Sequence, residues 1–221
     1  MEKSNIDEKI KLLTGSGMWH TQEVEGLPSV HLSDGPHGLR KQEEKERQNN
    51  VSLVSTCYPT ASALACSWDV TAAERLGRAV AKEAWNADVA VLLGPGINMK
   101  RSPLCGRNFE YFSEDPFLAG RLGAAYVSAA QGEDVAVSLK HFAANNQETN
   151  RQTSNSQIDE RALREIYLSA FEYVVKTARP ATVMASYNRL NGYYACENRH
   201  LLTAILREEW GFDGVVISDW G

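Results

Sequence analysis

The chain has 221 residues, 23 basic and 28 acidic side chains, a formal net charge of -5, and 43% hydrophobic against 23% charged residues. That length can bury the core of one α/β domain, while the acidic balance argues against nucleic acid as a partner, which needs a basic face. No apolar run approaches bilayer length, so a membrane is not an expected partner. The N-terminus lacks a signal core, and four cysteines without CxxC or metal-ligand spacing fit free thiols in a cytoplasmic location.

Residues 6–13 alternate apolar and charged positions at helical spacing, with Gly15 placed as a C-cap. A short strand is predicted over 27–32, running into the turn-rich Ser33-Asp34-Gly35-Pro36-His37-Gly38-Leu39-Arg40. Residues 41–50 are charge-dense and read as a solvated loop. Asp69 can cap a helix whose apolar positions Ala72, Leu76, Ala79, Val80 and Ala84 keep one face to about Asn86. A buried strand follows over 89–93, broken by Gly94-Pro95-Gly96, then a long loop to Glu114 with Arg101, Arg107 and Glu110. Asp115-Pro116 opens a helix that Gly132 ends.

The pattern then repeats. A strand over 135–139 leads into Lys140-His141 and a polar loop, and Asp159 caps a helix carrying Leu163, Ile166, Tyr167, Ala170, Phe171 and Val174. A strand over 182–186 precedes Tyr187-Asn188, and Asn198 and Gly211 bracket the next helix. The apolar, β-branched run 215–217 reads as a strand buried on both faces, with Asp219 just after it. On these last residues alone, a turn aspartate fits as well as a catalytic one.

Alternating strand, polar loop and helix signals a parallel sheet built of βα units. The unusual residues follow the strands: Asp34, Arg107, Lys140, His141, Tyr187 and Asp219. Ligands gather at that end in a doubly wound sheet too, but neither GxGxxG nor a P-loop is present. The fold expected is therefore α/β, a (β/α)8 TIM-like barrel. Because the chain stops one turn after a strand, it is expected to be a fragment, incomplete at the C-terminus. Two cations and two carboxylates at one mouth, with Trp220 as an apolar face, suit a sugar. Asp219, beside cations, is expected to have a depressed pKa and to stay ionised as a nucleophile. Competing readings make Lys140-His141 a polar strand end, Arg151 a solvated cation, Glu110 a salt-bridge partner, Asp115 and Asp159 helix caps, and Trp19, Trp68, Trp85 and Trp210 packing residues.

Five stretches occur in order: residues 33–40, Ser102-Pro103-Leu104-Cys105-Gly106-Arg107-Asn108-Phe109-Glu110, Lys140-His141-Phe142, Met184-Ala185-Ser186-Tyr187-Asn188 and Ser218-Asp219-Trp220. Together they resemble glycoside hydrolase family 3, in its β-glucosidase branch. The resemblance implies that Asp219 is the nucleophile and that Asp34, Arg40, Arg107, Lys140, His141, Arg151, Met184 and Tyr187 line the glucose subsite. It implies a retaining exo-β-glucosidase acting on small β-glucosides or oligosaccharides, without metal or organic cofactor. In that branch the acid/base glutamate lies in a second, α/β sandwich domain, which the chain lacks and which would act in cis. The N-acetylglucosaminidase branch is disfavoured, because Ala143-Ala144-Asn145-Asn146 follows Phe142 where that branch has Pro-Gly-His-Gly. A β-xylosidase, or a non-catalytic sugar-binding fragment, remains the alternative, and oligomeric state is open.

Overall fold

The computed structural model describes residues 6–35, 37–42 and 51–220. Among them the strands are β1 (Leu32–Asp34), β2 (Val91–Leu93), β3 (Ala136–Phe142), β4 (Asn155–Ser156), β5 (Thr182–Ala185), β6 (Arg189–Leu190), β7 (Tyr193–Tyr194) and β8 (Val215–Ser218). Five form one all-parallel sheet in the order β1-β2-β3-β5-β8, with Asp34 opposite Leu93 and Ser218 opposite Ala185. The order follows the chain without reversal. A doubly wound sheet reverses at a switch point, so this is the winding of a TIM-like α/β barrel.

The sheet also curls. Five flat strands would hold their edges about 19 Å apart. Here Trp19, whose carbonyl accepts from the Leu32 amide, lies 5.3 Å centroid to centroid from Trp220, just past β8. Leu32, Val91, Leu93, Ala136, Met184 and Ile217, from all five strands, pack on the enclosed face.

The outer face carries α3 (Val70–Asn86), α4 (Pro116–Gln131) and α6 (Ser169–Ala178), with α1 (Ile6–Leu12), α2 (Ala61–Ala65) and α5 (Glu160–Ala162) shorter. Local chemistry fixes their starts: Asp69, Asp115 and Asp159 side chains accept from the amides of Thr71, Phe117 and Ala162. Helices α3 and α4 approach closely because Gly77 has no Cβ; one would lie 2.5 Å from the Tyr126 carbonyl oxygen. Phe142, Phe171 and Trp210 fill the space between sheet and helices, each large ring contributing roughly 1.5–3 kcal/mol by leaving water.

Several expectations need correcting. The first strand starts at Leu32, because Val24 and Leu27 close a turn on each other. Gly15 is not a left-handed cap; it bridges to Thr21. Most of the predicted charged loop, 43–50, lies outside the described residues. Lys140 and His141 are in β3, not after it. Trp68 and Trp85 are 74% and 60% exposed rather than packed. Nor is 215–217 buried on both faces: among the described residues β8 pairs only with β5, and Val215 is 59% exposed. The small sheet β4-β6-β7 was not anticipated.

Candidate active site

The C-terminal ends of the parallel strands open on a cleft of about 620 Å³. Asp34, Arg40, Arg107, Lys140, His141, Arg151, Met184, Tyr187, Asp219 and Trp220 all line it. Asp34 ends β1, and Asp219 follows β8 by one residue, its amide bonded to the Ala185 carbonyl at 3.0 Å. Side chains on successive strand residues normally point to opposite faces. Between the pairs Leu139–Val183 and Phe142–Ala185, β3 carries one residue more than β5. This bulge lets Lys140 and His141 both face the cleft.

The polar groups interlock. Lys140 Nζ donates to Asp34 Oδ1 at 2.8 Å and lies 3.8 Å from Glu110 Oε2, while Arg107 Nε donates to Glu110 Oε1. Arg107 Nη2 lies 2.8 Å from His141 Nε2, and Tyr111 Oη 2.9 Å from His141 Nδ1. Asn98 clamps the His141 backbone, accepting from its amide at 2.7 Å and donating to its carbonyl at 2.8 Å. Burial, then Arg107 and Lys140, push the His141 pKa well down, so the ring is neutral. Its 3.7 Å approach to Asp219 Oδ2 is therefore not an ion pair.

Each carboxyl has its own electrostatic setting. Burial pushes Asp34 up, but Lys140, the Gly35 amide and Arg107 outweigh it and hold Asp34 below its ordinary range. At Asp219 burial wins, so its pKa is raised despite the Trp220 amide, Arg107, Lys140 and Tyr187. This corrects the expectation of a depressed value: desolvation of a nearly enclosed carboxylate exceeds the attraction of cations already committed to Asp34 and Glu110. The Trp220 amide donates to Oδ1 at 2.9 Å, and Oδ2 has no hydrogen-bond partner among the described residues. Burial and the neighbouring Asp219 charge push the Tyr187 phenol up to about 12. Arg151 covers the Tyr187 ring at 4.7 Å.

Trp220 stands against Trp19 and donates its indole N–H to the Met18 carbonyl at 2.7 Å, which fixes an aromatic wall beside Asp219. Trp19, His37, Phe109 and Glu110 also line the cleft. The sequence reads Trp19 as a packing residue and Glu110 as a salt-bridge partner, and gives His37 and Phe109 no role of their own. Phe109 and Glu110 lay inside a quoted motif and could have been found there, whereas Trp19 and Asn98 carried no signal.

Other proteins share this chain's sequence and shape. The profile of the glycosyl hydrolase family 3 N terminal domain matches residues 36–221. The chain is 53% identical over 225 residues to thermostable beta-glucosidase B of Acetivibrio thermocellus, covering 100% of this chain and 30% of that protein. It is 51% identical over 221 residues to an exo-alpha-(1->6)-L-arabinopyranosidase of Bifidobacterium longum, covering 98% and 29%. The solved family 3 beta-glucosidase of Bifidobacterium adolescentis superposes with a TM-score of 0.92 at 50% identity, over 99% of this chain and 31% of that one. A Kluyveromyces marxianus beta-glucosidase solved with glucose gives 0.93 at 44%, over 99% and 26%. The chain thus spans under a third of the length of these relatives, and it belongs to the glycosyl hydrolase family 3 N-terminal domain family.

Proposed function

We propose that the protein carrying this chain is a retaining, exo-acting β-glucosidase that releases terminal β-D-glucose from small glucosides. Asp219 carries the reading: a cleft-lining carboxylate one residue past a barrel strand, beside Arg107, Lys140 and Tyr187. In this scheme the Asp219 carboxylate attacks the anomeric carbon as the bond to the leaving oxygen breaks, giving a glycosyl ester that water then hydrolyses. Asp34, Lys140 and Arg107 bind sugar hydroxyls, joined by His141, Arg151 and Arg40. Tyr187 orients Asp219, while Trp220 and Met184 cover the apolar sugar face.

The leaving oxygen needs a proton. Besides Asp219, the carboxylates lining the cleft among the described residues are Asp34 and Glu110. Both are held by cations and suit accepting rather than donating. The resemblance to family 3 leads us to assign the acid/base to the remaining length of the longer protein, in the second domain that the resemblance implies. A second specificity comes from the Bifidobacterium longum relative, whose name makes it an arabinopyranosidase.

The test uses the full reading frame that encodes this chain. A 2-deoxy-2-fluoro-β-glucoside with a dinitrophenolate leaving group should form a stable ester on Asp219, found by peptide mass spectrometry. Label on another carboxylate, or none, would remove Asp219 from the role. Faster turnover of nitrophenyl α-L-arabinopyranoside than of the β-D-glucoside would select the second specificity.

A further inference from the structure

The scheme above gives no role to two of the most buried polar side chains beside the cleft. Glu110 is 3% exposed, with Oε1 taken by Arg107 Nε and Oε2 3.8 Å from Lys140 Nζ. Tyr111 is 1% exposed, and its hydroxyl meets His141 Nδ1 at 2.9 Å. A guanidinium can only donate, so Arg107 Nη2 at 2.8 Å makes His141 Nε2 an acceptor. The ring proton then lies on Nδ1 and is donated to Tyr111 Oη. The backbone fits this arrangement closely: Gly96 bridges both Tyr111 and Lys140, and a Cβ there would lie 2.8 Å from the Tyr111 ring.

Resting on the β-glucosidase reading, we propose that Glu110 and Tyr111 form a positioning pair. Glu110 sets where Arg107 and Lys140 present their N–H donors to the sugar, and Tyr111 sets the His141 tautomer whose bare Nε2 anchors Arg107. Free lysine and arginine side chains sample many rotamers, and ordering them on binding weakens binding. Glu110 and Asp34 do that ordering in advance, one on each side of Lys140. Glu110 also offsets charge near the nucleophile. The groups facing Asp219 are Arg107, Lys140, the Tyr187 hydroxyl, the Trp220 amide and the neutral His141. Without the Glu110 carboxylate the two cations act on Asp219 less compensated, and its ionisation moves to lower pH.

The experiment takes the full reading frame with Glu110→Gln and Tyr111→Phe, each checked for folding by near-UV circular dichroism. Nitrophenyl β-D-glucoside kinetics are recorded across pH beside D-glucose binding. Glu110→Gln should raise KM and the glucose Kd about tenfold or more, the scale of a lost charged hydrogen bond, with kcat falling less. The acid limb of kcat/KM should move to lower pH. Tyr111→Phe should weaken glucose binding while leaving that limb in place. In the wild type, ¹⁵N spectra should show His141 protonated on Nδ1 and not titrating between about pH 5 and 8. Unchanged KM, glucose Kd and acid limb in folded Glu110→Gln would overturn the role of Glu110, and an Nε2–H tautomer would overturn that of Tyr111. The spectrum needs no variant, so it decides even if both fail to fold. A wild type that has the expected tautomer but neither binds glucose nor cleaves the glucoside would count against the substrate reading alone.

Discussion

Desolvation and attraction pull the Asp219 carboxyl in opposite directions, and desolvation prevails. In the proposed scheme only the ionised form attacks, so a raised pKa brings the loss of activity to higher pH. The acid limb of kcat/KM should lie above the ordinary aspartate value of about 3.9; a limb at or below that value would contradict the burial argument. Asp219→Asn should abolish turnover while leaving the fold intact by circular dichroism. Asp34→Ala should cost about 2–4 kcal/mol of transition-state stabilisation, read as kcat/KM, because it removes a charged donor's partner in an enclosed site. Near-wild-type kcat/KM would reduce Asp34 to a structural role. Arg151 lies outside the five motifs, but the other nine of the ten cleft-lining candidates were legible because those motifs contain them. The sign of the Asp219 shift was not, since a sequence shows which charges accompany a residue but not how much water it loses. Glu110 lay inside a quoted motif, but its part in the site separates from a plain salt-bridge role only once Lys140 and Arg107 are seen on either side of it.

At the scale of elements, the site depends on close backbone approaches. Gly96→Ala would push a Cβ toward the Tyr111 ring at 2.8 Å, and that ring is held through its hydroxyl by His141. The cost should be about 1–3 kcal/mol in denaturant unfolding, typical of overpacking, together with a higher KM. Asp115→Ala is the contrast. It removes the α4 cap bond to Phe117 and should cost about 1 kcal/mol with KM unchanged, as Asp115 is outside the cleft. Helices such as α3 and α4 could be read from their caps and periodicity. Strand ends drifted, most at β1, which begins at Leu32 rather than at residue 27, because a buried strand is apolar throughout and gives no period. The bulge in β3 has no sequence signal, so Lys140 and His141 were read as following the strand. Two-residue strands such as β4 are too short to show alternation.

For the whole molecule, the winding was legible from the repeated strand–loop–helix order, whereas its curvature emerged only from contacts between distant segments. The functional reading makes one demand at this scale. A chain of these 221 residues alone holds the proposed nucleophile and most of the proposed subsite, and among the described residues the other cleft carboxylates are paired with cations. It should show no measurable cellobiose hydrolysis, and at best a trace on a dinitrophenyl glucoside, whose leaving group needs little protonation. Robust cellobiose turnover by the purified chain would place the acid within it, with Glu148, whose carboxyl burial raises, as the first residue to test.

The Trp220–Met18 hydrogen bond joins residues 202 positions apart. Contacts of such separation are entropically expensive to close and form after local helices and neighbouring strands. The aromatic wall beside Asp219 is thus a late event in folding. During refolding, α3 and α4 amides should gain exchange protection first, and the Trp220 indole last. Asp219 would then be the last part of the pocket to be set in place, so that an incompletely folded chain carries no organised cleft.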